Sequence, residues 1–244
     1  MYKTFLAGNI YSKQKAWGYL LAFPAYLYYI PTILHFIFLI ILDLTNEHQV
    51  MMANIYLNLG VGLISLAIIA LILKDFLIEN FIHFKQNFLA TIKNIFVIGL
   101  PLNYLLAFIA NILVMLFLGF DVVEDSANQQ AVVSMIEITP LLMVFQAVII
   151  APLLEELLFR GLIFRSLTHI NINLAHFVAA FLFGFLHVYQ EVLAGDLMQM
   201  AYIFPYMFMG YAFGYIYQRT GTIFASIGLH FLSNSIAVLL SLTM

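Results

Sequence analysis

The sequence predicts an all-α membrane protein, a polytopic bundle of about seven transmembrane helices with its N-terminus in the cytoplasm. The composition is the first reason: 64% of the 244 residues are hydrophobic and only 9% are charged, whereas about a quarter of the residues of a soluble domain are charged. The second reason is a series of apolar runs that approach the ~20 residues a helix needs to cross a bilayer. The third is the distribution of basic residues, which lie at alternate ends of these runs.

The apolar runs divide the chain into membrane spans and one surface segment. We place spans at 17–42, 51–73, 92–119, 138–164, 174–193, 198–218 and 222–243. Between the second and third spans, residues 74–93 mix charged and aromatic side chains, which predicts an amphipathic segment on the membrane surface. We treat 1–244 as a single membrane domain, with variable N-terminal helices at 1–130 and a motif-bearing core at 138–240. The chain has no cysteine, which excludes disulfides, thiol catalysis and Cys-based metal sites.

The charges indicate how the bundle is oriented. In a seven-span arrangement every basic residue falls on one side: Lys3, Lys13, Lys15, Lys74, Lys85, Lys93, Arg160, Arg165 and Arg219. The opposite connections are acidic: Asp43, Glu47, Asp121, Glu124, Asp125, Glu191 and Asp196. Because cytoplasmic loops carry an excess of Lys and Arg, the basic side is predicted to be cytoplasmic.

Three polar patterns in the last four spans need an explanation: Glu155-Glu156-x-x-x-Arg160, Phe183-x-x-x-His187 and His230-x-x-x-Asn234. Glu156 and Arg160 are spaced i, i+4 and are predicted to form an ion pair on one helix face. Glu155 then lies on a neighbouring face, where it is free to meet groups from other helices. Because ionisable groups are expensive in lipid, those in membrane spans are functional candidates. We therefore expect Glu155, His187 and His230 to meet around one buried cavity.

The residue types at this predicted cavity suit amide hydrolysis. A carboxylate held away from bulk water can act as a general base, and a histidine can share the activated water. A second histidine with the Asn234 amide can stabilise the oxyanion of a tetrahedral intermediate. The alternative is a zinc site formed by Glu155, His187 and His230, because two imidazoles and a carboxylate form a known catalytic zinc shell. We favour a site without a cofactor and keep Zn²⁺ as the alternative.

Other features of these spans have a structural explanation. A single intramembrane histidine more often packs than reacts, and Glu156 with Arg160 alone is more often a structural pair. Ala180/Gly184 and Gly210/Gly214 have the spacing of small residues at close helix contacts. The tyrosines of the sixth span, including Tyr206, are predicted to be packing residues and interface anchors.

At the three motifs the chain resembles the CPBP family of intramembrane proteases, also called the CAAX-protease and bacteriocin-processing or Abi family. The resemblance covers roughly residues 138–240. It implies proteolysis of peptides at or within the membrane, with Glu155 as base, His187 sharing the water, His230 and Asn234 stabilising the oxyanion, and Glu156 and Arg160 supporting the site. Family members are described both as metalloproteases and as metal-free glutamate proteases, and the resemblance does not choose between them.

The expected function is an intramembrane endopeptidase of a bacterial cell membrane, multi-pass, with its active site open to the cytoplasm. The expected partners are the lipid bilayer and a membrane peptide or protein tail, such as a pheromone or bacteriocin precursor, and no nucleic acid. The alternative is a non-catalytic membrane scaffold or regulator, acting in bacteriocin immunity or with a sensor kinase. A transporter ranks last, because no paired half-helices or internal repeats are visible.

Overall fold

The protein is a bundle of helices that contains no β-strand in the part described by the computed structural model, residues 11–24, 28–41, 47–119 and 126–243. The helices are α1 (Lys13–Pro24), α2 (Ile30–Ile41), α3 (Glu47–Ile72), α4 (Lys74–Gln86), α5 (Phe88–Leu118), α6 (Ala127–Ile138), α7 (Pro140–Leu167), α8 (Ile172–Leu186), α9 (Tyr189–Leu193), α10 (Ile203–Thr220) and α11 (Ile223–Thr243). A short 3₁₀ helix, Leu197–Tyr202, precedes α10. The predicted all-α, polytopic fold class is confirmed.

Four described helices are long and apolar enough to cross a membrane: Met52–Ile72 within α3, all of α5, all of α7, and Ile223–Leu242 within α11. They correspond to the second, third, fourth and seventh predicted spans. Helix α8 is apolar but shorter, at Ile172–Leu186. The total of seven spans and the side of the N-terminus therefore stay predictions.

Two predicted spans differ from the helices. The first, 17–42, corresponds to α1 and α2, and residues 25–27 between them lie outside the described part of the chain. The fifth was expected to reach 193, but α8 ends at Leu186 and His187 follows as its C-terminal cap. Of the charged residues used to orient the bundle, Lys3, Asp43, Asp121, Glu124 and Asp125 also lie outside the described residues.

Helix α7 lies at the centre of the bundle and is wound irregularly. It contains two π-helical stretches, Gln146–Ile150 and Leu157–Phe164, separated by one α-helical turn that carries Pro152 and the two glutamates. In the first stretch the Ala151 N–H donates to the carbonyl of Gln146, five residues back. Pro152 has no N–H to continue this pattern, so the Ala147 carbonyl loses its helical donor. Such π turns are frequent at functional sites.

The predicted small-residue contacts join α8 to α10. A Cβ at Gly184 would lie 2.7 Å from the Ile203 carbonyl oxygen, and a Cβ at Gly210 would lie 3.0 Å from the Cβ of Phe183. A side chain at Gly184 would require the backbone to move. Helices α8 and α10 therefore make the close contact that the spacing of small residues predicts. This contact brings Phe183 and His187 next to α10.

Candidate active site

Glu156 occupies the dry interior of the bundle. Its side chain is fully buried, and its Oε1 lies 3.1 Å from Nη1 of Arg160 and 3.0 Å from Nδ1 of His230. Arg160, also fully buried, donates from Nη2 to the Gly210 carbonyl at 2.6 Å. The carboxylate and guanidinium therefore join α7, α10 and α11. The predicted ion pair is present, but Arg160 belongs to the site and not to the basic end of the fourth span, where the sequence placed it.

Glu155 faces the other way, into a cavity, and 23% of its side chain is exposed. Its Oε2 lies 4.0 Å from Nε2 of His187 and 3.9 Å from Nε2 of His230. These separations are too long for direct hydrogen bonds. A water about 2.8 Å from Oε2 and from one Nε2 can bridge either pair. The structure thus brings together the three side chains that the motifs singled out.

The hydrogen bonds of the two imidazoles orient their Nε2 atoms. Nδ1 of His187 lies 2.6 Å from the Phe183 carbonyl, and Nδ1 of His230 lies 3.0 Å from the Glu156 carboxylate. Both partners only accept, so each Nδ1 carries the hydrogen. Each Nε2 then faces Glu155, accepting a hydrogen bond when the ring is neutral and donating one when it is protonated.

Aromatic rings hold the imidazoles in these positions. The ring of Tyr206 stacks on His187 with centroids 4.3 Å apart and planes at 17°. The ring of Phe213 stacks on His230 with centroids 4.4 Å apart and planes at 26°. The Tyr206 hydroxyl lies 2.7 Å from Oγ of Ser126 and 3.1 Å from Nδ2 of Asn128. Tyr206 is therefore fixed at both ends, a role in the site that the sequence analysis did not predict.

Asn234 supports the backbone of α7. Its Nδ2 donates to the Ala147 carbonyl at 2.8 Å, the carbonyl that loses its helical donor because residue 152 is proline. Its predicted role as an oxyanion donor stays a prediction. Asn103 of α5 was missed by the sequence analysis: it is buried, and its Nδ2 donates to Oγ of Ser233 at 3.0 Å. The available signal was an asparagine inside a long apolar run.

The cavity that contains Glu155, His187 and His230 has a volume of about 480 Å³. It is lined by Asn103, Tyr104, Ala107, Asn128, Gln129, Val132, Ile136, Met143, Gln146, Ala147, Ala151, Glu155, Phe183, His187, Pro205, Tyr206, Met209, His230, Ser233, Asn234, Ile236, Ala237, Val238, Leu240 and Ser241. This lining runs from the site to the C-terminal end of α11, away from the basic residues. The expected opening towards the basic, cytoplasmic side is therefore not supported, because the Glu156–Arg160 pair with Phe183 and Phe213 fills that side of the site.

The donor set can be compared with a zinc shell. Two imidazole nitrogens and one carboxylate oxygen are suitable ligands, and the Nδ1 hydrogen bonds are of the kind that orient metal-bound histidines. Ligands of a tetrahedral zinc lie about 3.3 Å apart at ordinary bond lengths, whereas Glu155 is 3.9–4.0 Å from both imidazoles. Among the described residues, no group of three or more His, Asp and Glu side chains is arranged to hold a metal ion. The ligand types therefore fit zinc, and binding it would require Glu155 to approach both imidazoles.

Comparisons with known proteins identify a family and a bacterial relative that are similar to parts of this chain. The family model described as "Rce1-like: Type II CAAX prenyl endopeptidase Rce1-like" matches residues 137–236. The protein named "Putative membrane peptidase YdiL" of Bacillus subtilis (strain 168) is 29% identical over 124 residues, 50% of this chain and 46% of the relative, so the chain spans about half of that relative's length. No solved structure matches the chain. The family match spans all three motifs, and the two matches confirm that the chain resembles the CPBP intramembrane proteases.

Proposed function

We propose that the chain is an intramembrane endopeptidase that hydrolyses a peptide bond of a membrane-associated peptide or protein tail. The observation that supports it best is the convergence of Glu155, His187 and His230 from three helices on one cavity. The family match over residues 137–236 supports the same reaction class. A pheromone or bacteriocin precursor is the substrate we favour by analogy with the family.

The proposed reaction starts with a water held between Glu155 and His187. Glu155 takes a proton from this water, and the hydroxide attacks the carbonyl carbon of the substrate. The proton on Glu155 then passes to the nitrogen of the leaving amine as the carbon–nitrogen bond breaks. Glu155 returns to its carboxylate form, and one water is consumed per bond.

His230 is the proposed oxyanion donor. Its Nδ1 bonds the Glu156 carboxylate at 3.0 Å, which turns its Nε2 towards Glu155. A ring with a hydrogen on both nitrogens donates from Nε2 at the place where the tetrahedral oxyanion forms.

The test is cleavage of membrane peptides by the purified protein and by Glu155→Gln. We expect at least a ~10³-fold loss of kcat in Glu155→Gln, since it removes the general base. Glu137→Gln is the matched control, because Glu137 is exposed on α6 and does not line the cavity. Full activity of Glu155→Gln would refute the assigned role and would favour a non-catalytic scaffold.

Metal analysis of the same preparation separates the two chemistries. We expect cleavage to persist after chelation and dialysis. One zinc per chain, with activity lost on chelation and restored by zinc, would overturn the metal-free proposal. In that case Glu155, His187 and His230 would be the ligands, and zinc would supply the polarisation of the attacking water.

A further inference from the structure

The two ends of the bundle have different charge. At one end, Nε of Arg219 donates to Oδ1 of Asn94 at 2.8 Å, and Oγ1 of Thr222 donates to the Asn80 carbonyl at 3.1 Å. These contacts bring α4, the start of α5, the end of α10 and the start of α11 together. Apart from Arg160, the Lys and Arg residues in the described ranges all lie on elements at this end: Lys13, Lys15, Lys74, Lys85, Lys93, Arg165 and Arg219. We call it the basic end.

The opposite end has amide and hydroxyl groups where it closes around the cavity, with the Asp196 carboxylate beside Gln199. The Ala127 N–H donates to Oε1 of Gln199 at 3.1 Å, and Nε2 of Gln129 lies 3.5 Å from Oγ of Ser241. These contacts gather the start of α6, the turn before α10 and the end of α11. We call this the polar end. Its described residues include no Lys or Arg.

The cavity leads from the site to the polar end alone. Its lining includes Asn128, Gln129 and Ser241, and it includes no residue of 74–95, 160–176 or 216–229. On the side towards the basic end the cavity is closed, because Glu156, Arg160, Phe183 and Phe213 have no exposed surface there. A substrate segment can therefore reach Glu155 from the polar end or between helices at that level, and not past the ion pair.

The chemistry of the lining indicates what kind of segment fits. Apart from the side chains of the site, its polar groups are amides and hydroxyls. Oδ1 of the buried Asn103 has no hydrogen-bond partner, although its Nδ2 is bonded to Ser233. Leaving a buried acceptor unpaired is costly, so this atom is placed to receive an N–H from a bound chain. Neutral amide and hydroxyl groups pair with a peptide backbone, and none of them offers a charge partner to a substrate side chain.

We propose, building on the peptidase function above, that the cleaved segment is an uncharged stretch of peptide that enters from the polar end. Because the basic end is the cytoplasmic one by the distribution of Lys and Arg, the substrate is presented on the non-cytoplasmic side of the membrane. The substrate class is thus a peptide or protein segment that has already crossed the membrane or lies in its outer leaflet. A precursor confined to the cytoplasm does not reach this cavity.

Cysteine labelling tests the access route without any need for cleavage, because the chain has no cysteine of its own. Ser241→Cys reports on the polar end and Lys85→Cys on the basic end. With a membrane-impermeant maleimide, we expect Ser241→Cys to label in intact cells and Lys85→Cys to label only in inverted vesicles. The reverse pattern would overturn the proposed side of entry.

A second pair of variants tests the cavity itself. Ala237 lines the cavity, whereas Leu239, two residues further along α11, is 62% exposed on the outside of the bundle and does not. A small charged methanethiosulfonate added to intact cells should modify Ala237→Cys at least tenfold faster than Leu239→Cys. Equal rates would show that no aqueous path enters from this end.

The charge preference is tested with quenched fluorescent peptides built from Asn, Ser, Ala and Leu, and purified wild-type protein. A Lys or Asp beside the cleaved bond should slow cleavage at least tenfold relative to the uncharged parent, and equal rates would refute the preference. If the labelling results hold and no peptide is cleaved, the access route stands and the peptidase function fails. If cleavage occurs but labelling is reversed, only the proposed side of entry fails.

Discussion

Glu155 and Glu156 are neighbours on one helix, yet they lie in opposite surroundings. Glu156 has no exposed surface and touches Arg160 and His230 at 3.1 and 3.0 Å. Glu155 is 23% exposed, and its Oε2 has no hydrogen-bond partner. The rotation of about 100° between neighbouring helix residues puts the two carboxylates in different surroundings. The Glu156 carboxylate contacts groups of two helices, and the Glu155 carboxylate faces the cavity, as the proposed base should.

The largest expected effect on stability is at Glu156. Glu156→Gln leaves the fully buried Arg160 without its carboxylate, so we expect a loss of about 3–5 kcal/mol in the free energy of unfolding. Glu155→Gln should change that free energy by less than about 1 kcal/mol, because Glu155 is partly exposed and unpaired. Thermal unfolding in detergent measures both. Equal destabilisation by the two substitutions would remove the distinction between the glutamates.

A paired replacement sharpens this comparison. Glu156→Gln with Arg160→Met removes both charges, and such replacements are often neutral or stabilising. We expect the double variant to unfold close to the wild-type temperature and still to lack activity, since His230 then loses the carboxylate that orients it. Recovered cleavage would show that the pair is only structural.

A smaller effect is expected at Asn234, which lines the same cavity as Glu155. Asn234→Ala leaves the Ala147 carbonyl unpaired, at a cost of about 1–3 kcal/mol. In a Pro152→Ala background the cost should shrink, because residue 152 then has an N–H for the freed carbonyl. Unfolding of the two single variants and the double variant gives the coupling energy. The same loss in both backgrounds would contradict this assignment.

Activity of the same double variant tests the other role of Asn234. If the amide also stabilises the oxyanion, cleavage should stay about 10²-fold reduced even when stability is restored. Recovery of cleavage together with stability would limit Asn234 to supporting the backbone of α7.

The meeting of Glu155, His187 and His230 was predictable because each motif has helical spacing and an ionisable group in lipid has few alternatives. The direction of the cavity was not. Helix α7 contains π turns and α8 ends at Leu186, which places His187 on a helix cap, and neither feature follows from regular helical spacing. Residue spacing also does not show on which side the cavity is closed. Phe183 and Phe213 close it through tertiary packing between helices.

Asn103 and Tyr206 were beyond the sequence analysis for a related reason. Each takes its role from a partner on another helix: Ser233 for Asn103, and His187 for Tyr206. Neither has a motif partner at helical spacing, so the neighbouring residues in the chain do not show which group it contacts. The tyrosines of α10 look alike in sequence, and only the stacking geometry separates Tyr206 from the others.

The smallest predicted effect is at Tyr206, which is held by the stacking of its ring and by the contacts of its hydroxyl group. Tyr206→Leu removes the ring stacked on His187, and we expect kcat to fall about tenfold, which corresponds to about 1.4 kcal/mol of transition-state stabilisation. Tyr206→Phe keeps the ring and loses only the hydroxyl contacts to Ser126 and Asn128, so its kcat should stay within about twofold of wild type. Steady-state kinetics with a cleaved peptide measures both variants. The stacked ring orients His187 and does not itself react. Equal losses of kcat in the two variants would show that the hydroxyl group of Tyr206, and not its ring, is responsible for the effect.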